Sequence, residues 1–386
     1  MIPATAMADL SFSATSTTAA EESMRTEVRG FLAAEMAALG IDPGLGIGGG
    51  YRPEFSRKLA ARGWVGMSIP KRYGGHGRSA VERFVVIEEL LAAGAPVSAH
   101  WIADRQTAPS ILAFGTEEQR ERFLPGIAAA QTFWSLGMSE PDAGSDLAAV
   151  RSAARPVDGG WSLNGTKIWT TNAHLNHYLV VLCRTSQDAD RHAGLSQLIV
   201  DLHAPGVDVR PIQSLDGTNH FNVVTLTDVF VPDDLVLGQV GDGWRQITTE
   251  LAHERATPDR FLSTYSLLRS FLEYLADAPE LPPSARDAVG TLTARLWAIR
   301  QMSLAVARMI DSGQTPATQA ALVKDLGTVF EQDTITVLRD YLPGPARSGG
   351  TTLFERLMEQ AILASPAFTL RGGTSEVLRT MIARQL

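Results

Sequence analysis

Residues 161–172 read WSLNGTKIWTTN and residues 177–185 read HYLVVLCRT, and both lie in a zone from 131 to 238 with strand-like periodicity. Apolar residues recur there with a period of two, in short β-branched or aromatic runs bounded by Gly, Asn, Asp and Pro. Strands this short and this regularly spaced favour a compact barrel or sandwich over alternating βαβ units. The other runs are TFWSLGMSE (132–140), LSQLIVDL (195–202), VDVRPI (207–212) and NVVTLTDVFVP (222–232).

Helical periodicity flanks this zone on both sides, with apolar residues three and four apart and Gly or Pro between the runs. One helix is predicted to begin after Thr116, because Gln119 three residues on completes a capping box. We expect an α+β multidomain protein of the order helices, small barrel, helical bundle. The expected parts are a flexible tail (1–23), an N-terminal α-helical domain (24–130), a central β-barrel domain (131–240) and a C-terminal helical bundle (241–386).

Composition excludes several classes of protein. The 386 residues carry a formal charge of −8 and no basic stripe, so a nucleic-acid partner is not expected. No uncharged apolar run reaches about 18 residues, and the first residues lack a secretion signal, so we expect a cytoplasmic protein without a membrane span. The single cysteine, Cys183, excludes an internal disulfide and a cysteine-cluster zinc site, and the eight histidines show no metal-ligand spacing, so no metal is expected.

The densest local motif is GMSEPDAGSD at residues 137–146. Its Pro-Asp-Ala-Gly turn brings hydroxyl and backbone N–H groups together, which can form a donor-rich pocket for a phosphate or a heteroaromatic carbonyl. An ordinary hairpin turn with a polar cap is the alternative interpretation of this segment alone.

A second motif, KIWTTN at 167–172, follows in the same zone. Side chains alternate along a strand, so Trp169 and Thr171 are predicted to share one face. An indole beside a hydroxyl suits the edge of a flat polar ring system, whereas the alternative is a core tryptophan of a small barrel.

Together these segments resemble the acyl-CoA dehydrogenase family. The resemblance covers roughly residues 25–386 and is carried by EELLAAG, FGTEEQRERFLPGIAA, MSEPDAGSD, NGTKIWTTN, DVFVP, GDGW and RGGTSEVLRTMIAR. It implies an N-terminal helical domain, a central β-barrel and a C-terminal four-helix bundle that also makes oligomer contacts, with FAD between barrel and bundle.

The resemblance also implies which residues contact the cofactor and the substrate. Met138 and Ser139 are expected at the pyrimidine end of the flavin, Trp169 against the ring and Thr171 toward N5. Ser145 matches a position that contacts the pantetheine and phosphate part of the thioester, and we also assign it to the cofactor-binding set. Thr374 and Glu376 match positions near the cofactor's phosphates and adenosine.

Desaturation of an acyl thioester needs a carboxylate base whose pKa is raised by desolvation. Many family members place this Glu at the position occupied here by Gly372, so the common base is missing. A branch similar to isovaleryl- and long-chain acyl-CoA dehydrogenases takes the base from the helix after GDGW. Glu254 falls on that position, beside Arg255, which we assign to substrate binding. Gly372 could still donate its N–H to the thioester carbonyl.

The expected function is therefore FAD-dependent α,β-dehydrogenation of an acyl thioester carried by CoA or an acyl carrier protein, with an electron-transferring flavoprotein as acceptor. We expect a homodimer or homotetramer. The Arg-x-x-Phe-Gly and Gln-x-x-Gly-Gly motifs of the family are absent, as in members that pair with a homologous chain. Two alternatives follow: a flavin oxidase or monooxygenase of the same fold, and a half-site partner subunit of a heteromer.

Overall fold

The computed structural model describes residues 11–46, 50–187, 190–277, 280, 282–342 and 350–385, without the side chains of residues 250–254. Its contacts group the chain into two compact units. Unit 1 comprises the segments up to residue 50, 79–96 and from 252 onward, and unit 2 comprises 51–78 and 97–251. The predicted loop at 278–284 lies partly outside the described residues, and the predicted loop at 343–352 lies mostly outside them.

Unit 1 is helical. Its helices are α1 (Ala19–Ala38), α3 (Ala80–Ala92), α8 (Tyr265–Ala276), α9 (Pro283–Asp311), α10 (Ala317–Arg339), α11 (Leu353–Phe368) and α12 (Ser375–Ala383). Helices α8 to α11 form the predicted bundle, in which α10 packs against both α9 and α11. Helix α3 packs on α9 through buried apolar side chains that include Phe84 and Leu304. The helices of the expected 24–130 domain are thus divided between the two units, and the sequence-based domain limits stay a prediction.

Helix α1 includes the last five residues of the expected tail. Thr18 is its N-cap and forms a capping box with Glu21, whose carboxylate caps the backbone N–H of Thr18 in return. Glu21 is buried and forms an ion pair with Arg308 of α9, with Nη2 and Oε2 2.6 Å apart. The helix therefore extends to Ala19 because both a local cap and a tertiary ion pair fix its first turn.

Unit 2 contains one eight-stranded sheet. Its strands are β1 (Trp134–Gly137), β2 (Ala153–Val157), β3 (Gly160–Thr171), β4 (Tyr178–Arg184), β5 (Leu195–Asp201), β6 (Val207–Ile212), β7 (Phe221–Pro232) and β8 (Val236–Leu237). They pair in the order β6-β7-β3-β2-β4-β5-β8, and β1 pairs with β4 in parallel.

The helices of unit 2 are α2 (Pro53–Ala61), α4 (Ser98–Ile102), α5 (Ala108–Phe114) and α6 (Glu117–Ala128), and a π-helical turn (Ala103–Thr107) joins α4 to α5. Helix α6 begins with the capping box of Thr116 and Gln119, which confirms that prediction. Helix α7 (Gly243–Glu254) starts in unit 2 and ends in unit 1. No helix within the described residues is long and apolar enough to cross a membrane.

Strands β4 and β5 are buried on both faces. Leu179 and Val181 of β4 belong to a core cluster on one face of the sheet, whereas Val180 belongs to a second cluster with Phe123 and Leu124 of α6. This double burial explains why HYLVVLCRT is a continuous apolar run and not an alternating one. The free thiol of Cys183 is fully buried in the first cluster, and burial raises its pKa to about 12.

Candidate functional site

A buried ion pair joins the GMSEPDAGSD segment (137–146) to the KIWTTN segment (167–172). Lys167 of β3 is fully buried, and its Nζ lies 2.7 Å from Oε1 of Glu140 and 3.2 Å from the carbonyl oxygen of Met138. Glu140 also accepts hydrogen bonds from the backbone N–H groups of Arg151 (2.7 Å) and Ser152 (2.9 Å). The turn that follows Met138 is thereby fixed to strand β3.

Burial and the ion pair have opposite effects on the charges of these two groups. Burial by itself would raise the pKa of Glu140, but the charge of Lys167 and the hydrogen bonds that the carboxylate accepts hold that pKa below its usual value. Burial lowers the pKa of Lys167, and Glu140 opposes that shift. A charged lysine in this position is stable only because the carboxylate and the Met138 carbonyl are its partners.

Strand β3 has a bulge at the point where Trp169 lies. Its pairing with β7 shifts register between Lys167 and Thr170, so that one extra residue is inserted there. Trp169 has φ +59°, a left-handed conformation that is rare for a bulky side chain. Its side chain is 56% exposed and touches the ring of Phe221 edge-on, with centroids 5.9 Å apart. Strain of this kind is found where a side chain must be aimed at a ligand.

Polar contacts fix the backbone on either side of the bulge. The N–H of Ile168 donates to the carbonyl of Ser139 at 3.0 Å, and the hydroxyl of Ser135 donates to the carbonyl of Thr171 at 2.7 Å. Within the described residues, the hydroxyl oxygens of Ser139 and Thr171 have no hydrogen-bond partner. An exposed aromatic face with two unused hydroxyl groups beside it fits a flat polar ring system such as the flavin of FAD.

Ser145 lies on the other side of the Pro141–Gly144 turn and is exposed. The next residue, Asp146, forms an ion pair with Arg191, which keeps the end of the turn against the β4–β5 connection. Ser145 thus lies at the surface, beyond the turn that Glu140 and Ala143 close with two backbone hydrogen bonds. Its role in substrate and cofactor binding stays a prediction.

The unit 1 residues of the predicted site meet at a loop that precedes α12. Gly372 and Gly373 have φ values of +67° and +97°. Arg255 is buried, and its Nε donates to the carbonyl of Gly372 at 3.4 Å. Thr374 is the N-cap of α12 and accepts a hydrogen bond from Val377, and Glu376 lies exposed in the first turn of that helix.

The buried Arg260 side chain lies close to the space that a side chain at Gly372 would occupy. A Cβ atom built on Gly372 would lie 2.9 Å from Nη2 and 3.0 Å from Cζ of Arg260, which is itself buried. Any side chain here would have to adopt the left-handed conformation and displace that guanidinium group. Helix α7 ends at Glu254, the other candidate for the base, but the Glu254 side chain lies outside the described residues.

Two functional candidates were missed by sequence reasoning: the Glu140–Lys167 pair, and Lys324 of α10, whose Nζ lies 2.7 Å from the Gly373 carbonyl. A signal was present in the composition, because the chain has only four lysines. Lys58 and Lys71 are exposed, whereas Lys167 and Lys324 are fully buried, each beside a segment with a sequence motif.

Comparison with protein families gives consistent matches along the chain. Models of the N-terminal, middle and C-terminal domains of acyl-CoA dehydrogenases match residues 18–131, 135–229 and 241–386. Among curated proteins, the acyl-CoA dehydrogenase IpdE1 of Mycobacterium tuberculosis is 34% identical over 381 residues, covering 95% of this chain and 97% of IpdE1. The acyl-CoA dehydrogenase FadE34 of the same organism is 36% identical over 340 residues; the match covers 86% of this chain but only 46% of FadE34.

Solved structures of similar fold include two with substantial sequence identity. One is described as the Tcur3481-Tcur3483 steroid ACAD; it is 30% identical with a TM-score of 0.85, over 95% of this chain and 97% of that chain. The ChsE4-ChsE5 complex from Mycobacterium tuberculosis is 29% identical with a TM-score of 0.82, over the same shares of the two chains.

Proposed function

Because the chain belongs to the acyl-CoA dehydrogenase family, we propose that it catalyses FAD-dependent α,β-dehydrogenation of an acyl thioester. It acts as an oxidoreductase on CH–CH groups. The observation that carries the proposal is the strained, exposed Trp169, which the Lys167–Glu140 pair fixes beside the unused hydroxyls of Ser139 and Thr171. Backbone strain at an exposed aromatic side chain is a feature that supports assignment of a binding site here.

The residues proposed to hold FAD are those that the motif resemblance implies. Met138, Ser139, Trp169 and Thr171 provide the flavin-binding face, with Ser145 at its edge, and Thr374 and Glu376 provide contacts toward the phosphates and adenosine. Bound FAD supplies the acceptor for the hydride that leaves Cβ of the acyl chain. The strand bulge and the buried ion pair keep the indole oriented before the cofactor arrives, which lowers the entropy lost on binding.

Glu254 is the proposed base. It removes the α-proton of the thioester, and the Gly372 N–H donates to the thioester carbonyl as negative charge develops on its oxygen. Two features support this assignment: the position of Glu254 after the GDGW sequence, and the guanidinium of Arg260, which occupies the space that a side chain at residue 372 would need. Arg255 is proposed to act in substrate binding by fixing the Gly372 carbonyl.

The acyl carrier is proposed to be CoA or an acyl carrier protein, and an electron-transferring flavoprotein is proposed to reoxidise the enzyme.

A homodimer or homotetramer is the first assembly to test. A heteromer with a homologous chain is the second, since a related structure is described as the ChsE4-ChsE5 complex and two cofactor-binding motifs are missing here. A reducing compartment, the cytoplasm, suits a chain whose one cysteine is free and buried.

An anaerobic spectral titration tests this function. The purified protein is expected to be yellow, and an acyl-CoA from a panel of straight, branched and steroid-derived thioesters is expected to bleach it. The steroid arm is included because one similar structure is described as a steroid ACAD. Rapid peroxide release or an oxygenated product in air would instead favour the oxidase or monooxygenase. A colourless chain that gains flavin only when mixed with a homologue would favour the half-site subunit.

A further inference from the structure

Lys324 is a buried cation whose hydrogen-bond acceptor is a backbone carbonyl. It lies on the inner side of α10, is fully buried, and its Nζ donates to the carbonyl oxygen of Gly373 at 2.7 Å. Within the described part of the chain, no carboxylate lies within ion-pair distance of this ammonium group. Burial of an ammonium group without a carboxylate partner carries a desolvation penalty, which a single hydrogen bond to a loop carbonyl offsets only in part.

The charged groups around Lys324 explain why its carboxylate neighbours do not neutralise it. Glu331 of the same helix is bound to Arg371, with Oε2 and Nη2 2.6 Å apart, and Asp325 is bound to Arg379 of α12. Arg260, Arg371 and the more distant Glu376 also act on it. Burial, with a smaller effect of the charges of Arg260 and Arg371, lowers the pKa of Lys324 to about 7, although Asp325 and Glu331 oppose this shift.

The loop that Lys324 contacts is held at a second point. The carbonyl of Gly372 accepts from Arg255, which comes from the end of helix α7, while the Arg260 guanidinium packs beneath Gly372. Neither glycine has a side chain that could anchor it, and both have backbone conformations outside those favoured by other residues. The position of the Gly372 N–H therefore depends on these cations.

We propose that Lys324 is a positioning residue for the dehydrogenation, which holds the Gly372–Gly373 loop so that the Gly372 N–H faces the thioester carbonyl. This inference rests on the proposed function. Lys324 does not touch the reacting atoms. Its contribution is realised in the transition state, because a shift of the donor by a fraction of an ångström weakens its bond to the developing oxyanion more than it weakens substrate binding.

The test compares Lys324→Met, which removes the donor, with Lys324→Gln, which keeps a neutral N–H donor, and with Lys71→Met, which removes an exposed lysine far along the chain. Each flavin-loaded variant is mixed anaerobically with the acyl-CoA that reduces the wild type fastest. We expect Lys324→Met to lower the rate constant of flavin reduction about 10- to 100-fold, with little change in the acyl-CoA concentration that gives half of the maximal rate. Lys324→Gln is expected to recover part of this loss, and Lys71→Met to equal the wild type.

Two further measurements separate positioning from a merely structural role. The ratio of wild-type to Lys324→Gln rate is expected to fall as the pH rises through about 7, because the wild-type donor then loses its charge and the glutamine donor does not change. Amide hydrogen exchange of residues 371–374, measured without substrate, is expected to be faster in Lys324→Met than in the wild type.

The outcomes test the positioning role of Lys324 and the proposed dehydrogenation separately. A folded Lys324→Met or Lys324→Gln variant with wild-type reduction rate, pH profile and amide exchange would overturn the positioning role. If Lys324→Met does not fold, the Lys324→Gln pH profile carries the test alone. If no acyl thioester reduces the wild-type flavin, the proposed function fails, and unchanged amide exchange in the variant would overturn the loop contact separately.

Discussion

Nζ of Lys167 lies 2.7 Å from Oε1 of Glu140, and both side chains are buried. The two residues belong to different sequence motifs, GMSEPDAGSD and KIWTTN, which lie about 25 residues apart in the chain. The ion pair is thus the physical link between them: it fixes the turn after Met138 to the strand whose bulge presents Trp169. The two motifs thus stabilise each other's position through contacts between side chains and backbone.

Removal of the lysine leaves a buried carboxylate without its charge partner. We expect Lys167→Met to lower the free energy of unfolding by about 3–5 kcal/mol, and the double variant with Glu140→Gln to recover part of that loss, as measured by chemical denaturation. The matched control is Arg151→Met, which breaks the exposed Arg151–Asp142 pair and should change stability by less than about 1 kcal/mol. Equal effects of the buried and exposed changes would contradict the assigned role.

The conformation of Trp169 is predicted to lower the stability of the fold, whereas its indole side chain is predicted to increase the affinity for FAD. Glycine tolerates φ +59°, so Trp169→Gly should be more stable than Trp169→Ala by about 1 kcal/mol, although glycine normally destabilises a strand. Both variants should bind FAD more weakly than Trp169→Phe, which keeps an aromatic face. Thermal unfolding without cofactor and flavin titration measure the two effects. If alanine were the more stable of the pair, the bulge would not be strained.

The position of Gly372 is predicted to reject any side chain. Gly372→Ala must adopt the left-handed conformation and also displace the Arg260 guanidinium. We therefore expect it to lower the free energy of unfolding, measured by chemical denaturation, by more than about 1–2 kcal/mol. Gly40→Ala is the control, because Gly40 has φ +60° but nothing within 4 Å of its added Cβ. For the same steric reason, we expect Gly372→Glu not to restore flavin reduction to the Glu254→Gln variant. Restored reduction would show that the position can still carry the base.

Lys324 makes folding depend on pH in a defined direction. Its pKa is lowered to about 7 in the folded protein from an ordinary value near 10.5, so the unfolded chain binds more protons between those values. The contribution of Lys324 to the free energy of unfolding is therefore lowest below pH 7. It rises toward pH 10.5 by a total on the order of a few kcal/mol. Subtracting the curve of Lys324→Met from that of the wild type isolates this contribution. A flat difference would mean that the lysine is not desolvated.

The sequence was sufficient for the features that depend on local periodicity and capping. It predicted the strand zone, with VDVRPI coinciding with β6 at Val207–Ile212, and the capping box of Thr116. It placed the start of the first helix too late: the local capping box of Thr18 and Glu21 was overlooked, and the ion pair between Glu21 and Arg308 joins segments almost 290 residues apart. Contacts at such separation leave no local pattern.

The same limit applies to the site. The motif resemblance selected Trp169 and Gly372, but the bulge that strains Trp169 depends on its register with β7, and the exclusion of a side chain at Gly372 depends on Arg260. Lys167 and Lys324 have their partners in other segments of the chain, Glu140 and Gly373. Pairings of this kind follow from tertiary packing, which periodicity and short motifs do not encode.

The most direct test of the proposed reaction is anaerobic flavin reduction by Glu254→Gln. Its control is Glu250→Gln, one turn earlier on helix α7. We expect both variants to stay yellow and Glu250→Gln to be bleached by the same acyl-CoA as the wild type. Glu254→Gln should be reduced at least about 10²-fold more slowly, because the α-proton has no acceptor. Reduction of Glu254→Gln at the wild-type rate would contradict the proposed dehydrogenation mechanism.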